Sequence, residues 1–472
     1  MRMQQREAGP ASWRRRRRSA VTIAIAATTA LALAACSPGS DGKSSSTTPA
    51  DGPVSTGINS AKKVSITVTD GWGSTGSGAT FGQVVKNFET KYPNVTVNRQ
   101  TTDYNSYQQT VNLKLNSPNP PDVMMLETSG YGQGFYGAVS ANKVQPLDSY
   151  AKAYGWADRV GSDASLNVFR MDPSQHYLWG SGTLYGVPEQ NAIIGVFYNK
   201  SLLKKAGFAS PPTTFAQFES TLAGAKAHGV TAIEESSTFI HTEMALWGAF
   251  ANSADQVNKW VYGASGTFAD PANLKAAQTM RDWNAKGYFE TGAVGTSDND
   301  AAAAFLGGKA MYYIEGSWMA GGVEGSLKAD GGWFAFPSVS ASSPVGGGPT
   351  TPLVIPAGSK HKDVAAKFLD FFLSQEQTDY LFKNGWGLPG AQITPSLASA
   401  GTPTADIVNA LSKAEGQGGG GTIPFLDWAN PQYSTQLAGE LQKLAAGKQT
   451  AAAFTKTIQD EWVTFHDKRK AA

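Results

Sequence analysis

Carboxylates, histidines, a glycine-rich turn and tryptophans in loops are the residues of this 472-residue chain whose types and spacing could do chemistry. Gly71, Gly73 and Gly76 spell G-x-G-x-x-G after a predicted strand and before a predicted helix, with Asp103 further on, the pattern of a dinucleotide-binding turn. Trp72 inside that turn would crowd a pyrophosphate, so the segment reads instead as a cleft loop that exposes its indole ring. Glu127, Glu189 and Asp427 could be assembled into an acid and base pair for hydrolysis, but no hydrolase motif surrounds them. His176, His228, His241, His361 and His466 show no metal-pair spacing, and Cys36 is the only cysteine, so neither a metal nor an intramolecular disulfide is expected. Gly418–Gly421 lacks the Gly-Lys-Ser/Thr ending of a phosphate loop.

The elements that must position these residues are legible in the pattern. Val64–Val68 alternates as a strand, and Phe81, Val84, Val85 and Phe88 share one face of a following helix. Pro93 ends that helix and Val95–Val97 opens a second strand, which makes a parallel βαβ unit. A helix over 105–116 aligns Tyr107, Val111 and Leu115, and Pro120–Leu126 is the next strand. Asp70, Trp72, Glu127 and Tyr131 then fall at the carboxyl ends of parallel strands, where α/β sheets bind ligands. A helix over 214–227 leads to a strand at Val230–Ile233 and a loop, Glu234–His241. Asp270-Pro271 starts a helix that Gly287 closes. Ser297 starts another, Gly307 and Gly308 stop it, and Ala310–Ile314 is a strand. Glu315-Gly316 reads as a turn and Ser317 as the cap of a helix whose first residue is Trp318. Trp156, Trp247, Trp260, Trp283 and Trp462 sit in helical contexts and belong to the core, as does the stripe Phe454, Ile458, Trp462 and Phe465.

Charge misleads until the first residues are set apart. The chain carries 39 basic and 37 acidic groups, but seven arginines and one glutamate lie within residues 1–35, leaving 32 against 36, a net −4. That balance offers no footprint for nucleic acid. Arg14–Arg18, a short apolar run and Leu33-Ala-Ala-Cys36 resemble a bacterial signal peptide (residues 1–35) ending in a lipobox, with Cys36 lipidated. The apolar run is too short for a stable membrane span. Residues 36–60 are rich in Ser, Thr, Gly and Pro and read as a flexible tether of roughly 25–30 Å reach, so the folded body is expected to start near Ala61.

Four motifs then resemble one family, in family order and across roughly residues 61–465. They are Pro120-Pro-Asp-Val123; Tyr185-Gly-Val-Pro188 with Tyr198-Asn-Lys200 and Ala206-Gly207; the A-x-F-x-x-G-K-A-M run Ala303–Met311 with Gly316-Ser-Trp318; and Ala365-Ala-Lys-Phe-Leu369 with Ser374-Gln-Glu-Gln377. The chain resembles the bacterial extracellular solute-binding proteins that serve ABC sugar importers, the maltose-binding-protein-like receptors. That resemblance implies an α/β, two-lobed fold of the type II periplasmic-binding class, each lobe a mainly parallel sheet flanked by helices, with crossings near Glu189, Gly346 and Ala398. Residues 61–189 and 349–398 would form the N-terminal lobe, and 190–345 and 399–472 the C-terminal lobe.

It further implies a monomeric receptor without turnover or cofactor, held at the outer face of the cell membrane, that captures a carbohydrate and presents it to the membrane permease subunits. A pyranose offers C–H patches to flat aromatic faces and hydroxyls to carboxylates and amides. The ligand residues so implied are Asp70, Trp72, Glu127, Tyr131, Glu189, Asn191, His241, Trp318, Gly347, Trp386, Asp427 and Trp428. Two alternatives are an exported carbohydrate-active hydrolase and a binding protein for a non-sugar solute. The second would want acidic clusters among the aromatics or Tyr, His and Arg clusters, and neither pattern is evident.

Overall fold

The computed structural model describes residues 53–73, 76–128, 134–161, 163–340, 343–415 and 420–471. The signal segment, Cys36, the tether as far as residue 52 and Tyr131 lie outside these. Strand β1 (Val64–Asp70) pairs in parallel with β2 (Val95–Thr101) and with β3 (Val123–Met125). Helix α1 (Gly76–Lys91) makes the first crossover and buries Phe81, Val84, Val85 and Phe88. Those rings meet Phe368, Phe371 and Phe372 on the helix Lys362–Phe372, with Phe88 and Phe368 centroids 5.2 Å apart. Helix α2 (Tyr104–Leu115) is capped by Asp103, which accepts Ser106 N–H at 3.0 Å. Tyr107 ties it to the sheet by donating to the Met125 carbonyl at 2.9 Å.

A small three-stranded sheet follows, β4 (Arg170–Asp172), β5 (Leu178–Trp179) and β6 (Thr183–Leu184). Then comes the strand that joins the lobes, β7 (Val187–Asn199), 13 residues long. In the second lobe β8 (Thr231–Glu234) lies parallel to β9 (Ala310–Gly316), and β10 (Gly331–Ala335) runs antiparallel to β7. The return crossing is β11 (Val345–Val354), with β12 (Leu388–Pro389) on β7 and β13 (Thr422–Ile423) on β11. The resulting order is β2-β1-β3-β11-β7-β9-β8.

Strand β7 belongs to both lobes. Its residues Val187–Ile193 register against Leu353–Gly347 of β11, whereas Ile194–Tyr198 register against Gly316–Tyr312 of β9. Parallel strands on each side are thus bridged by antiparallel ones. Asp270 caps the helix Pro271–Ala285 through the N–H groups of Ala272 and Asn273, and Ser297 caps Asp298–Leu306, as their sequences demand. Trp156, Trp247, Trp260, Trp283 and Trp462 are all buried in the core.

Two local expectations need correction. The chain is already docked well before Ala61: Val54 and Ile58 are half-buried, and Ser55 N–H donates to Asp363 Oδ1 at 3.2 Å. Ser317 does not cap a helix. Strand β9 continues through Glu315 and Gly316, a single 3-10 turn spans Ser317–Met319, and Ser317 Oγ accepts the Ile193 N–H at 3.2 Å. A backbone donor on the crossing strand outcompetes the helix for that hydroxyl.

Candidate functional site

The first wall grows from the end of β1. Asp70 is fully buried; its carboxylate takes the Arg99 guanidinium in two 2.7 Å contacts, the Thr101 hydroxyl at 2.7 Å and the Trp72 N–H at 3.0 Å. With those partners it has no reach to a ligand, so the expectation that Asp70 binds one gives way to a role in fixing the turn. The same turn does not cradle phosphate: Gly73 N–H is bonded to the Thr102 carbonyl at 2.8 Å. Trp72 emerges half-buried, its indole N–H donating to Glu189 Oε1 at 2.9 Å and its ring 6.2 Å from that of Tyr104. The Tyr104 hydroxyl donates to Glu127 Oε2, while Glu127 Oε1 accepts Thr128 N–H at 2.8 Å.

Trp386 is not a platform. It is only 3% exposed, stacked on Phe81 at 5.8 Å and edge-on beneath Trp72 at 5.4 Å. Asn191 is likewise structural in its contacts, donating to the carbonyls of Pro389 and Gly390 at 3.1 and 3.3 Å and so pinning β12 to β7.

The second wall grows from the end of β9. Trp318 is 46% exposed, one of the few large apolar side chains so presented among the described residues. A Cβ on Gly316 would lie 2.2 Å from its ring, so the glycine two residues earlier is what lets the indole fold back over the strand end. His241 stands edge-on to Trp318 at 5.4 Å, and Phe425 lies 6.1 Å from it. Burial works against a charge on His241, yet Glu315, 2.8 Å from Nδ1, outweighs this and pushes the imidazole up to about 9. The wall therefore presents a histidinium–carboxylate pair beside an open indole. Glu235 behind it is pushed up to about 8 by burial, against the bonds from Thr242 and Ser236 N–H.

Trp428 is buried, stacked 6.0 Å from Trp179 with planes 8° apart, and Asp427 is half-buried in the same 3-10 turn, Leu426–Ala429. Trp428 nevertheless lines a cavity of about 440 Å³ with Gly347, Gly348, Pro349, Thr422 and Gln392. Gly347 has φ +139°, and a Cβ there would sit 2.2 Å from the Ala192 carbonyl, so only glycine lets the two crossing strands approach.

Both walls lean on β7, the first at Glu189 and the second at Ile193. Four residues of extended strand span about 13 Å. Tyr104, Glu315 and Phe425 are not singled out by the sequence as site residues; Tyr104 follows a capping aspartate at a sheet's carboxyl edge, which is the signal available for it. Among the described residues no group of three or more His, Cys, Asp or Glu could hold a metal, and no helix is long and apolar enough to cross a membrane.

Two lobes, parallel strands ending at aromatic and carboxylate groups in each, and crossing strands common to both define a two-lobed α/β binding protein of the type II periplasmic class. A family model for bacterial extracellular solute-binding proteins matches residues 72–379, and the chain belongs to that family, whose members bind solutes and are not enzymes. It is 26% identical over 382 residues to a maltooligosaccharide ABC transporter solute-binding lipoprotein of Streptococcus pneumoniae serotype 4, covering 77% of this chain and 78% of the relative. It is 25% identical over 400 residues to the diacetylchitobiose binding protein DasA of Streptomyces coelicolor, covering 80% and 86%. Among solved structures, a chitin oligosaccharide binding protein matches with a TM-score of 0.70 at 21% identity, over 87% of this chain and all of that one.

Proposed function

We propose that this protein is the substrate-binding lipoprotein of an ABC importer and captures an oligosaccharide by closing its lobes. The observation that carries the reading is the half-exposed Trp318 ring over Gly316, flanked by the His241–Glu315 pair, with Trp72, Tyr104 and Glu127 grouped at the strand ends of the other lobe. Flat rings receive the C–H faces of a pyranose, and the charged pair and carboxylate take its hydroxyls. A span of about 13 Å along β7 suits several linked rings better than one. The relatives named for maltooligosaccharide and diacetylchitobiose support that ligand class.

Closure over the ligand excludes water and creates the shape offered to the permease subunits. The lobes divide as 61–189 with 349–398 and 190–345 with 399–472, and the receptor acts as a monomer. Cys36 carries the lipid that holds it at the outer face of the membrane; Cys36→Ser should release the protein into the soluble fraction, and an unchanged membrane fraction would refute anchoring. The function itself is tested by a thermal-shift screen with mono- and oligosaccharides, because a ligand bound only to the folded state raises its melting temperature. Oligosaccharides should raise it more than their monomers. A panel in which only amino acids, polyamines or metal chelates stabilise would replace the reading with a non-sugar solute.

A further inference from the structure

Strand β7 has to bend when the lobes move, because its first half is bonded to one lobe and its second half to the other. The partner strand is irregular beside the bend. Gly347 and Gly348 have φ of +139° and +122°, and Thr351, directly between the registered pairs Thr350–Gln190 and Pro352–Pro188, has φ +45°. Across from Thr351 stands Glu189. Its side chain is fully buried, and three tethers converge on it. Oε1 accepts the Trp72 indole N–H at 2.9 Å, and its carbonyl accepts the Trp386 indole N–H at 3.4 Å and the Gly390 N–H at 3.1 Å.

No hydrogen-bond partner reaches Glu189 Oε2, and Thr351 Oγ1 opposite has none either. The ionisable groups that face Glu189 are Asp70 at the end of β1, Glu127 after β3 and Tyr107 on α2; β11 and β12 bring none. Arg99 is engaged by Asp70. An ionised Glu189 would be a buried charge among acids with no cation, which is costly. We infer that Glu189 is a positioning residue: its un-ionised carboxyl holds the Trp72 ring to the pivot strand, so that closing the lobes and aiming the platform are one movement. Burial, with Asp70 and Glu127 adding to it, raises this carboxyl to about 8 against the Trp72 bond and the nearness of the Thr351 hydroxyl. Above that pH the ionised group is better served by water, which enters only if the crossing strands part.

The inference rests on the saccharide reading for its effect on affinity, but not for its effect on Trp72. Glutamine copies the neutral acid, keeping an acceptor for the indole and offering N–H groups toward Thr351. Affinity of the full-length protein for the most stabilising saccharide of the screen is measured from pH 6 to 9.5 for wild type, Glu189→Gln and Glu189→Leu. His241 and Glu235 titrate in all three, so the quantity read is the ratio of wild-type to Glu189→Gln affinity. That ratio should be flat below about pH 8 and fall about tenfold per pH unit above it, while Glu189→Leu binds more weakly throughout. In the ligand-free protein carrying 5-fluorotryptophan, the Trp72 fluorine resonance, assigned by its loss in Trp72→Phe, should titrate near pH 8 in wild type and not in Glu189→Gln. A flat affinity ratio, or a Trp72 resonance that titrates alike in both proteins, would overturn the inference. Absence of saccharide binding in every variant would discard the ligand reading and leave the fluorine titration to decide the role of Glu189.

Discussion

Trp386→Ala lowers the stability of the folded protein by about 3–5 kcal/mol, the scale of a buried aromatic truncated in a core that cannot collapse. Its ring is almost wholly buried among Phe81, Phe372 and the underside of Trp72, with centroids 5.8, 6.4 and 5.4 Å away. Those partners come from α1 and from the helix Lys362–Phe372, so the void would open where the chain's late return strands meet its first crossover. Trp386→Phe, which keeps most of the volume, should lose much less. Denaturant unfolding of the two variants measures this as a shift of midpoint at constant slope. An unchanged midpoint for Trp386→Ala would mean that the ring packs nothing, and would restore it to the list of surfaces a ligand could use.

That prediction reverses the expectation for Trp386, and the reason shows where the sequence stops. Trp318 follows Gly316-Ser317 and Trp386 follows Gly385, so local pattern ranks them alike. What separates them is tertiary: Phe81 and Phe372 arrive over Trp386 from 305 and 14 residues away in the chain, whereas Trp318 has His241 and Phe425 beside it and stays half open. Asp70 misled in the same way. A carboxylate at a strand's carboxyl end is a ligand candidate until Arg99 and Thr101 of the neighbouring strand, registered beside it by β pairing, take its oxygens.

Elements with strong local signals were legible to within a few residues. The helix face of Phe81, Val84, Val85 and Phe88 is buried as its period requires, and the caps at Asp270 and Ser297 hold. Glu315 was hidden because Glu-Gly is a turn signal on its own; pairing of Gly316 with Ile194 extends β9 through it and delivers its carboxylate to His241. The crossing strand Val187–Asn199 was visible as two flanking motifs, but that a single strand serves both lobes follows only from its pairing.

The central claim, that a saccharide stacks on the second-lobe indole, is tested most directly by calorimetric titration of Trp318→Ala beside wild type. Trp318 is 46% exposed, so its removal leaves a smaller void than that of a buried ring, and a histidinium–carboxylate pair stands at its edge. Truncating such a ring costs about 1–3 kcal/mol of binding on the scale of interface hot spots, roughly a 5- to 150-fold loss of affinity. The account predicts that loss with a ligand-free melting temperature close to wild type. Undiminished affinity together with a collapsed melting temperature would show a core ring instead, and would contradict the account.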